Sequence, residues 1–501
     1  MNDIKHIVSR RHFALALGAG AASIGLAGCV ATNKATSRTS YTGAYSPADD
    51  VALGRAEHPK LVAQFGGAYE DKRLQGYVDR VGRSLTRHTE YAAQYPYEFT
   101  LLNSPIVNAF ALPGGYVYIS RGLLALASSE AEMAGVLAHE LGHVNARHSA
   151  ERISAQQATQ VGTTLAAIGL QLAGLPSDIA RLGQTVAALA IQGYSRQQEF
   201  EADMLGVRYM SAAGYDPDGM VTFLNTLREQ SLLEATAKGL PPGAVDQYNM
   251  MSTHPRTVDR VREATVAAKV SRTAQTKILR DEYLRQIDGM LFGDDPSEGI
   301  VQGQAFIHPG LGLRFDAPPG FRLFNSAKNV VAQSQSGAVM VFDLAPARNS
   351  RNPSAYVAKE WAPQAQLQGL EPLTVNGFKA ATGTTLASID NRQMDARLVA
   401  FQRDSRSVYR LMFLSPPNVT PSMREAFQSA TYSFRQLSSS EAAAVRPLKV
   451  RIGAASAGQT VRQLSQQMPY GPQNEAWFRV LNDLAPGTQP KARQRLKLIR
   501  T

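Results

Sequence analysis

The chain has 501 residues, 44% of them apolar, and a formal charge of +11, a length that suits about three domains. Its one cysteine, Cys29, excludes a disulfide within the chain and a cysteine-ligated zinc site, so any metal chemistry falls to histidine and carboxylate. Lys5, Arg10 and Arg11 against Asp3 account for +2 of the charge and leave +9 on the rest of the chain. A basic balance of this kind would suit nucleic acid, but the N-terminus reads as an export signal, which excludes nucleic acid as partner and favours anionic lipid or cell-wall polymer.

That signal is the basic start followed by the apolar run 13–28, too short to span a membrane and ending in small residues. Leu26-Ala27-Gly28-Cys29 resembles a bacterial lipobox, so Cys29 is expected to be lipidated. Ser9-Arg10-Arg11-His12-Phe13 resembles a twin-arginine signal, with Ala14 departing from the bulky residue usual there. Residues 1–28 are thus the expected signal peptide and 29–50 a polar linker. Asn108-Ala109-Phe110-Ala111-Leu112, a Gly114-Gly115 turn and Tyr116-Val117-Tyr118-Ile119 predict a β-hairpin.

The decisive motif is His139-Glu140-Leu141-Gly142-His143. Ser129 and Glu132 form a capping-box pattern, and Met133, Val136, Leu137, Leu141 and Val144 recur at helical spacing, so the motif sits on a helix. Two histidines four residues apart share one helical face and can grip one zinc ion, while Glu140 is placed to act as general base on a bound water. Gly142 costs the helix about 1 kcal/mol against Ala, yet it lets another backbone come close. His148, five residues after His143, is read as structural and off the metal face. A second helix opens at Ser195, with Gln198 completing its capping box and Gly214 as its stop. Glu199 and Asp203 share a face there; Glu199 can supply the third ligand and Asp203 can accept the outer N–H of a ligating histidine. Glu201 points elsewhere. Between the two helices, 163–170 and 186–191 are apolar and rich in small residues, read either as a buried helical pair or as a lid over the cleft.

Taken together, these motifs over residues 50–270 resemble the HtpX and CAAX-prenyl-endopeptidase type of gluzincin zinc metalloprotease, in its soluble periplasmic branch. The resemblance implies zinc ligands His139, His143 and Glu199, one Zn2+ per chain, catalytic base Glu140 and a supporting Asp203. It also implies that Asn108, Ala109, Phe110 and Ala111 form the edge strand on which an extended substrate lies. His254, in Ser252-Thr253-His254-Pro255, is implied to cap the metal as a regulatory fourth ligand or to stabilise the oxyanion.

The metalloprotease domain is expected over 51–270, with a charged helical linker at 271–300. Leu313 to Phe315, Val339 to Phe342, Ala396 to Phe401 and Val408 to Leu414 read as strands, the last two joined at Asp404-Ser405-Arg406, and Thr420-Pro421 starts a helix with Thr420 as its cap. These define an α+β domain over 301–437 with no catalytic cluster. Residues 447–501 resemble a degenerate LysM module, through Gly458-Gln459-Thr460, the turn Leu481-Asn482-Asp483-Leu484 and the final strand Gln494-Arg495-Leu496-Lys497-Leu498. The expected fold class is multidomain: a mainly α zincin-type domain with a small β-sheet, then an α+β domain and a LysM-like module.

The expected function is zinc-dependent cleavage of misfolded or misassembled envelope proteins, with histidine-mediated latency, by an exported, lipid-anchored chain facing the periplasm. Peptidoglycan is a further expected partner, and Val30 after the lipidated cysteine favours the outer membrane. The alternative is a zinc-stabilised chaperone or peptidoglycan-associated scaffold that cuts rarely; intact Glu140 favours the enzyme.

Overall fold

The computed structural model describes residues 30–42, 46–153, 193–237, 263, 266, 269–270, 276–350, 352–389 and 392–501. The signal segment with Cys29, the apolar stretches 163–170 and 186–191, and His254 lie outside the described residues. An antiparallel hairpin, β1 (Val30–Thr32) and β2 (Thr39–Tyr41), precedes two helices, α1 (Pro47–Gln64) and α2 (Lys72–Thr86). In α2, Leu74, Tyr77, Val78, Val81 and Leu85 bury one stripe at helical spacing.

A three-stranded sheet follows: β3 (Glu98–Leu102), β4 (Ala109–Leu112) and β5 (Tyr116–Ser120), in the order β3-β5-β4. The predicted hairpin is β4 and β5, antiparallel around Gly114 and Gly115 at φ of +80° and +98°. β4 lies at the sheet edge. Its Ala109 and Ala111 face the main core, while Phe110 and Leu112 pack with Tyr116 and Tyr118 on the other side.

β5 runs through a short helix, α3 (Arg121–Leu126), into α4 (Glu130–Asn145), the helix of the histidine motif. All sixteen residues of α4 are buried, so its surroundings are protein on every side and the periodic apolar stripe is only part of its contact surface. The capping box is half made. Ser129 accepts from the Glu132 amide, but the Glu132 carboxylate turns to the Ser128 amide at 2.8 Å and the Thr222 hydroxyl at 3.2 Å. After α4 come α5 (Arg196–Ala212), whose Ser195–Gln198 capping box is complete, and α6 (Asp218–Ala237). The segment read as a linker forms α7 (Arg280–Ile287), and its Tyr283, Leu284 and Ile287 are wholly buried in the same core as α2 and α4.

After strand β6 (Leu291–Phe292) the chain enters a β-rich region with two sheets. The smaller contains β7 (Ile300–Gln302), β8 (Ala305–His308) and β9 (Leu313–Asp316). The larger contains β10 (Arg322–Asn325), β11 (Asn329–Gln333), β12 (Val339–Pro346), β13 (Gln368–Val375), β14 (Phe378–Ile389), β15 (Arg392–Gln402) and β16 (Ser407–Ser415), antiparallel in the order β10-β11-β12-β16-β15-β14-β13. Both of its faces are covered. Val399 and Phe401 point into one cluster with α9, while Leu398 and Ala400 point into another with α8, where α8 is Pro353–Tyr356 and α9 is Thr420–Ser433. The four strands read from sequence are β9, β12, β15 and β16. Thr420 is not the cap of α9; it is the first helical residue, and its hydroxyl bonds Asp395 at 2.6 Å.

The chain then returns through β17 (Arg435–Gln436), which completes the smaller sheet, and α10 (Ser439–Ala444). The C-terminal segment is β18 (Leu448–Ala454), α11 (Val461–Ser465), α12 (Asn474–Leu481) and β19 (Arg495–Arg500), with β18 pairing both β19 and β6. Its Val450, Val461, Phe478, Leu496 and Ile499 belong to the core that includes α2, α4 and α7. Lys497, in a stretch whose other basic side chains are exposed or half-buried, is wholly buried. Its ammonium donates to the carbonyls of Ala125 (3.0 Å), Leu126 (2.9 Å) and Ala127 (2.6 Å), the C-terminal end of α3, where a cation also meets the negative pole of the helix. Glu132 of α4 acts on it electrostatically. Asn482, from the turn read in the sequence, brackets the Lys497 backbone with bonds of 2.7 and 2.9 Å.

Leaving a buried acceptor without its donor costs about 1–3 kcal/mol, and Lys497 serves three buried carbonyls. Lys497→Met should therefore lower the thermal midpoint of the full chain by about 5 °C, read by calorimetry. An unchanged midpoint would mean that the C-terminal segment does not clamp α3 and α4.

Candidate metal centre

The site forms where α4 and α5 come into backbone contact. A Cβ on Gly142 would meet the Ala202 carbonyl oxygen at 2.7 Å and its Cα at 2.8 Å. One turn along α5, a Cβ on Gly206 would lie 3.1 Å from the His139 amide nitrogen. The glycine read as an opening for another backbone thus admits α5 itself, which brings Glu199 against the histidine pair.

His139 Nε2 and His143 Nε2 are 3.1 Å apart; Glu199 places one oxygen 3.6 Å from the first and the other 3.3 Å from the second. Tetrahedral ligands about 2.0–2.1 Å from a zinc ion stand about 3.3 Å from one another, so the three gaps fit a single zinc. Two imidazoles and one carboxylate also leave a fourth position open, as hydrolytic zinc sites do. No other group of three such side chains occurs among the described residues. Burial holds the His143 imidazole well below its ordinary pKa against the pull of Glu199, which keeps it in the neutral form that binds metal.

The outer nitrogens are also engaged. His139 Nδ1 is 2.9 Å from Asp203 Oδ1, the contact anticipated from the four-residue spacing on α5. His143 Nδ1 is 2.9 Å from His148 Nδ1, and His148 Nε2 is 3.1 Å from Glu201 Oε2. His148 reaches His143 because α4 ends at Asn145 and Arg147 adopts φ +58°, so helical geometry no longer decides where residue 148 points. That left-handed backbone is held by Arg147 Nε donating to Asp50 Oδ2 at 2.6 Å, an oxygen that also accepts from Tyr95 at 2.8 Å. Glu201 faces away from Glu199, as its register requires. Burial alone pushes the Glu201 carboxyl up, but the bond from His148 and the charge of Arg38 outweigh it and hold the group below its usual range.

Tyr194 was not singled out from the sequence. Its ring stacks on His143 at 3.8 Å between centroids and 19° between planes, its hydroxyl lies 3.1 Å from Ser149 Oγ, and the Arg152 guanidinium sits 4.6 Å over its other side. Burial pushes its hydroxyl up to about 12, so it stays a protonated donor. A signal existed: the residue before an N-cap lies beside the fourth helical residue, and before the Ser195 cap those two are Tyr194 and Glu199. Glu140 is wholly buried on α4, and its charge adds to the upward push on Tyr194. Asn108, Ala109, Phe110 and Ala111 are buried, the last three on edge strand β4, and Asn108 Oδ1 has no hydrogen-bond partner among the described residues. His254 and Cys29 lie outside the described residues.

Residues 72–268 match the family model described as Peptidase family M48. The beta-barrel assembly-enhancing protease of Escherichia coli (strain K12) is 31% identical over 219 residues, 43% of this chain and 43% of that protein. The protein of the same description in Yersinia pestis is 32% identical over 236 residues, 45% of this chain and 46% of the relative. The mitochondrial metalloendopeptidase OMA1 of Schizosaccharomyces pombe is 34% identical over 201 residues, 39% of this chain and 55% of the relative. The chain therefore spans about half the length of the curated relatives it matches, and the similarity falls on the region that builds the histidine–glutamate site. On these grounds residues 72–268 are similar to peptidase family M48.

Proposed function

We propose that the chain is a zinc endopeptidase of the bacterial cell envelope that cleaves misfolded or misassembled envelope proteins. The observation that carries this reading is the convergence of His139, His143 and Glu199 at zinc-binding distances, with Glu140 between the two histidines in sequence. The envelope setting is supported by relatives named beta-barrel assembly-enhancing protease and by the lipobox-like Leu26-Ala27-Gly28-Cys29. No helix of the described residues is long and apolar enough to cross a membrane. Attachment is assigned, on the lipobox-like motif, to lipidated Cys29 at the outer membrane.

His139, His143 and Glu199 hold the metal. When bound there, zinc supplies Lewis acidity to the scissile carbonyl and lowers the pKa of water at the open position. Glu140 takes the proton from the attacking water and returns it to the leaving amine nitrogen. Asp203, with Oδ1 2.9 Å from His139 Nδ1, favours the tautomer that presents the Nε2 lone pair to the metal. An extended substrate strand adds to the β4 edge through main-chain bonds, which read little sequence and suit unfolded chains; the buried Asn108 amide oxygen is available to such a strand. Tyr194 offers a hydroxyl donor beside His143. His254 closes the fourth position at rest. The 447–501 segment, LysM-like in sequence, contacts peptidoglycan.

Glu140→Gln separates base from ligand. Casein cleavage should fall by about 10²–10⁴-fold while metal analysis still finds one zinc per chain; loss of the zinc, or undiminished cleavage, would contradict the assignment. The latch has the opposite sign. His254→Ala should cleave unfolded protein faster than the parent with zinc retained, whereas slower cleavage at full zinc would make His254 a transition-state group and no change would remove it from the site.

A further inference from the structure

We infer that the segment immediately after Cys29 is part of the metal site: the hairpin β1–β2 positions the ligand His143 through the chain Arg38–Glu201–His148. This rests on the zinc reading above and extends it to residues outside the motif.

The direction of each hydrogen bond follows from the first. His143 turns Nε2 toward His139 and Glu199, so to bind metal it must carry its proton on Nδ1. His148 Nδ1, 2.9 Å away, is then the acceptor, and a neutral His148 carries its own proton on Nε2, 3.1 Å from Glu201 Oε2. The chain ends on a carboxylate whose other oxygen lies 2.9 Å from Arg38 Nε. Arg38 reaches further, its Nη2 2.7 Å from Glu151 Oε1. The hairpin is fixed at a second point, where the Asn33 amide donates at 3.0 Å to the carbonyl of Asn145, the last residue of α4. The two zinc histidines are thus supported differently. His139 has its carboxylate directly, whereas His143 reaches one through an intervening imidazole, and that relay is completed by an arginine from the N-terminal hairpin.

His148 and Glu201 are therefore positioning residues. Without an acceptor behind it, His143 loses its tautomer preference, which weakens metal binding whether or not a substrate is present. Tyr194 stacks on the face of the His143 ring, a contact that holds the ring plane without selecting between its tautomers.

The test is zinc affinity of the full chain, measured by competition with a chromophoric chelator, for the parent, His148→Leu, His148→Gln and Arg38→Ala. Leucine fills the volume without accepting a hydrogen bond; glutamine can accept from His143 and donate to Glu201. The account predicts a 10–100-fold loss of affinity for His148→Leu, recovery to within a few-fold of the parent for His148→Gln, and a smaller but measurable loss for Arg38→Ala. If His148→Leu does not fold, Glu201→Leu interrupts the chain at its half-buried end and should give a loss of the same sign. Equal losses for leucine and glutamine would reduce His148 to a space-filling role, and parental affinity in Arg38→Ala would remove the hairpin from the site. A parent chain that binds no zinc would instead overturn the metalloprotease reading itself.

Discussion

A metal shared by two side chains of one helix and one of another requires the two backbones to approach more closely than large side chains at the contact allow. In this chain α4 and α5 meet through Gly142 against Ala202 and Gly206 against the backbone at His139. The glycines fall in helix interiors, where they weaken the helices taken alone. That local cost is offset by burial of α4 on every side and by capping at both helix starts. The N-terminal hairpin, the sheet, α6 and α7 pack against α4, and the C-terminal segment meets the end of α3.

Electrostatics point the same way. Glu140 and Glu199 are both fully buried, beside an imidazole that burial keeps uncharged. Two carboxylates so far from water are costly unless a cation lies between them and the solvent they have lost. A divalent ion at the three converging ligand atoms meets that need. Lys497 provides a second buried charge one helix away, its ammonium fixed by three carbonyls at the end of α3 and favoured by the charge of Glu132 in the first turn of α4. The C-terminal segment is thereby tied to the helix that carries the histidines, although the β-rich region intervenes in sequence.

What could be read from the sequence was what depends on short spacing. The four-residue intervals of His139 and His143 and of Glu199 and Asp203 act within one helix, and the Ser195 cap and the Asp404-Ser405-Arg406 turn are equally local. His148 escaped because its place depends on a left-handed Arg147, a conformation held by Asp50 nearly a hundred residues earlier. Arg38 and Lys497 escaped for the same reason: each looks like a solvent-facing base until the element it reaches is known. In the β-rich region, β14 was missed because Ala380, Ala381, Gly383, Thr384 and Thr385 give almost no hydrophobic alternation; neighbouring strands and the covering clusters, more than its own side chains, make it a strand. The linker reading of 271–300 failed to anticipate α7 as core because charged residues flank Tyr283, Leu284 and Ile287, and only the buried face matters to packing.

The central claim is that two histidines from α4 and one glutamate from α5 hold a single zinc ion. A crystal structure of the zinc-loaded chain with an anomalous map at the zinc edge tests it directly. The account predicts one peak about 2.0–2.1 Å from Nε2 of His139, Nε2 of His143 and a carboxylate oxygen of Glu199. A peak ligated by Glu201 in place of Glu199, a peak elsewhere, or no peak at full zinc loading would contradict it.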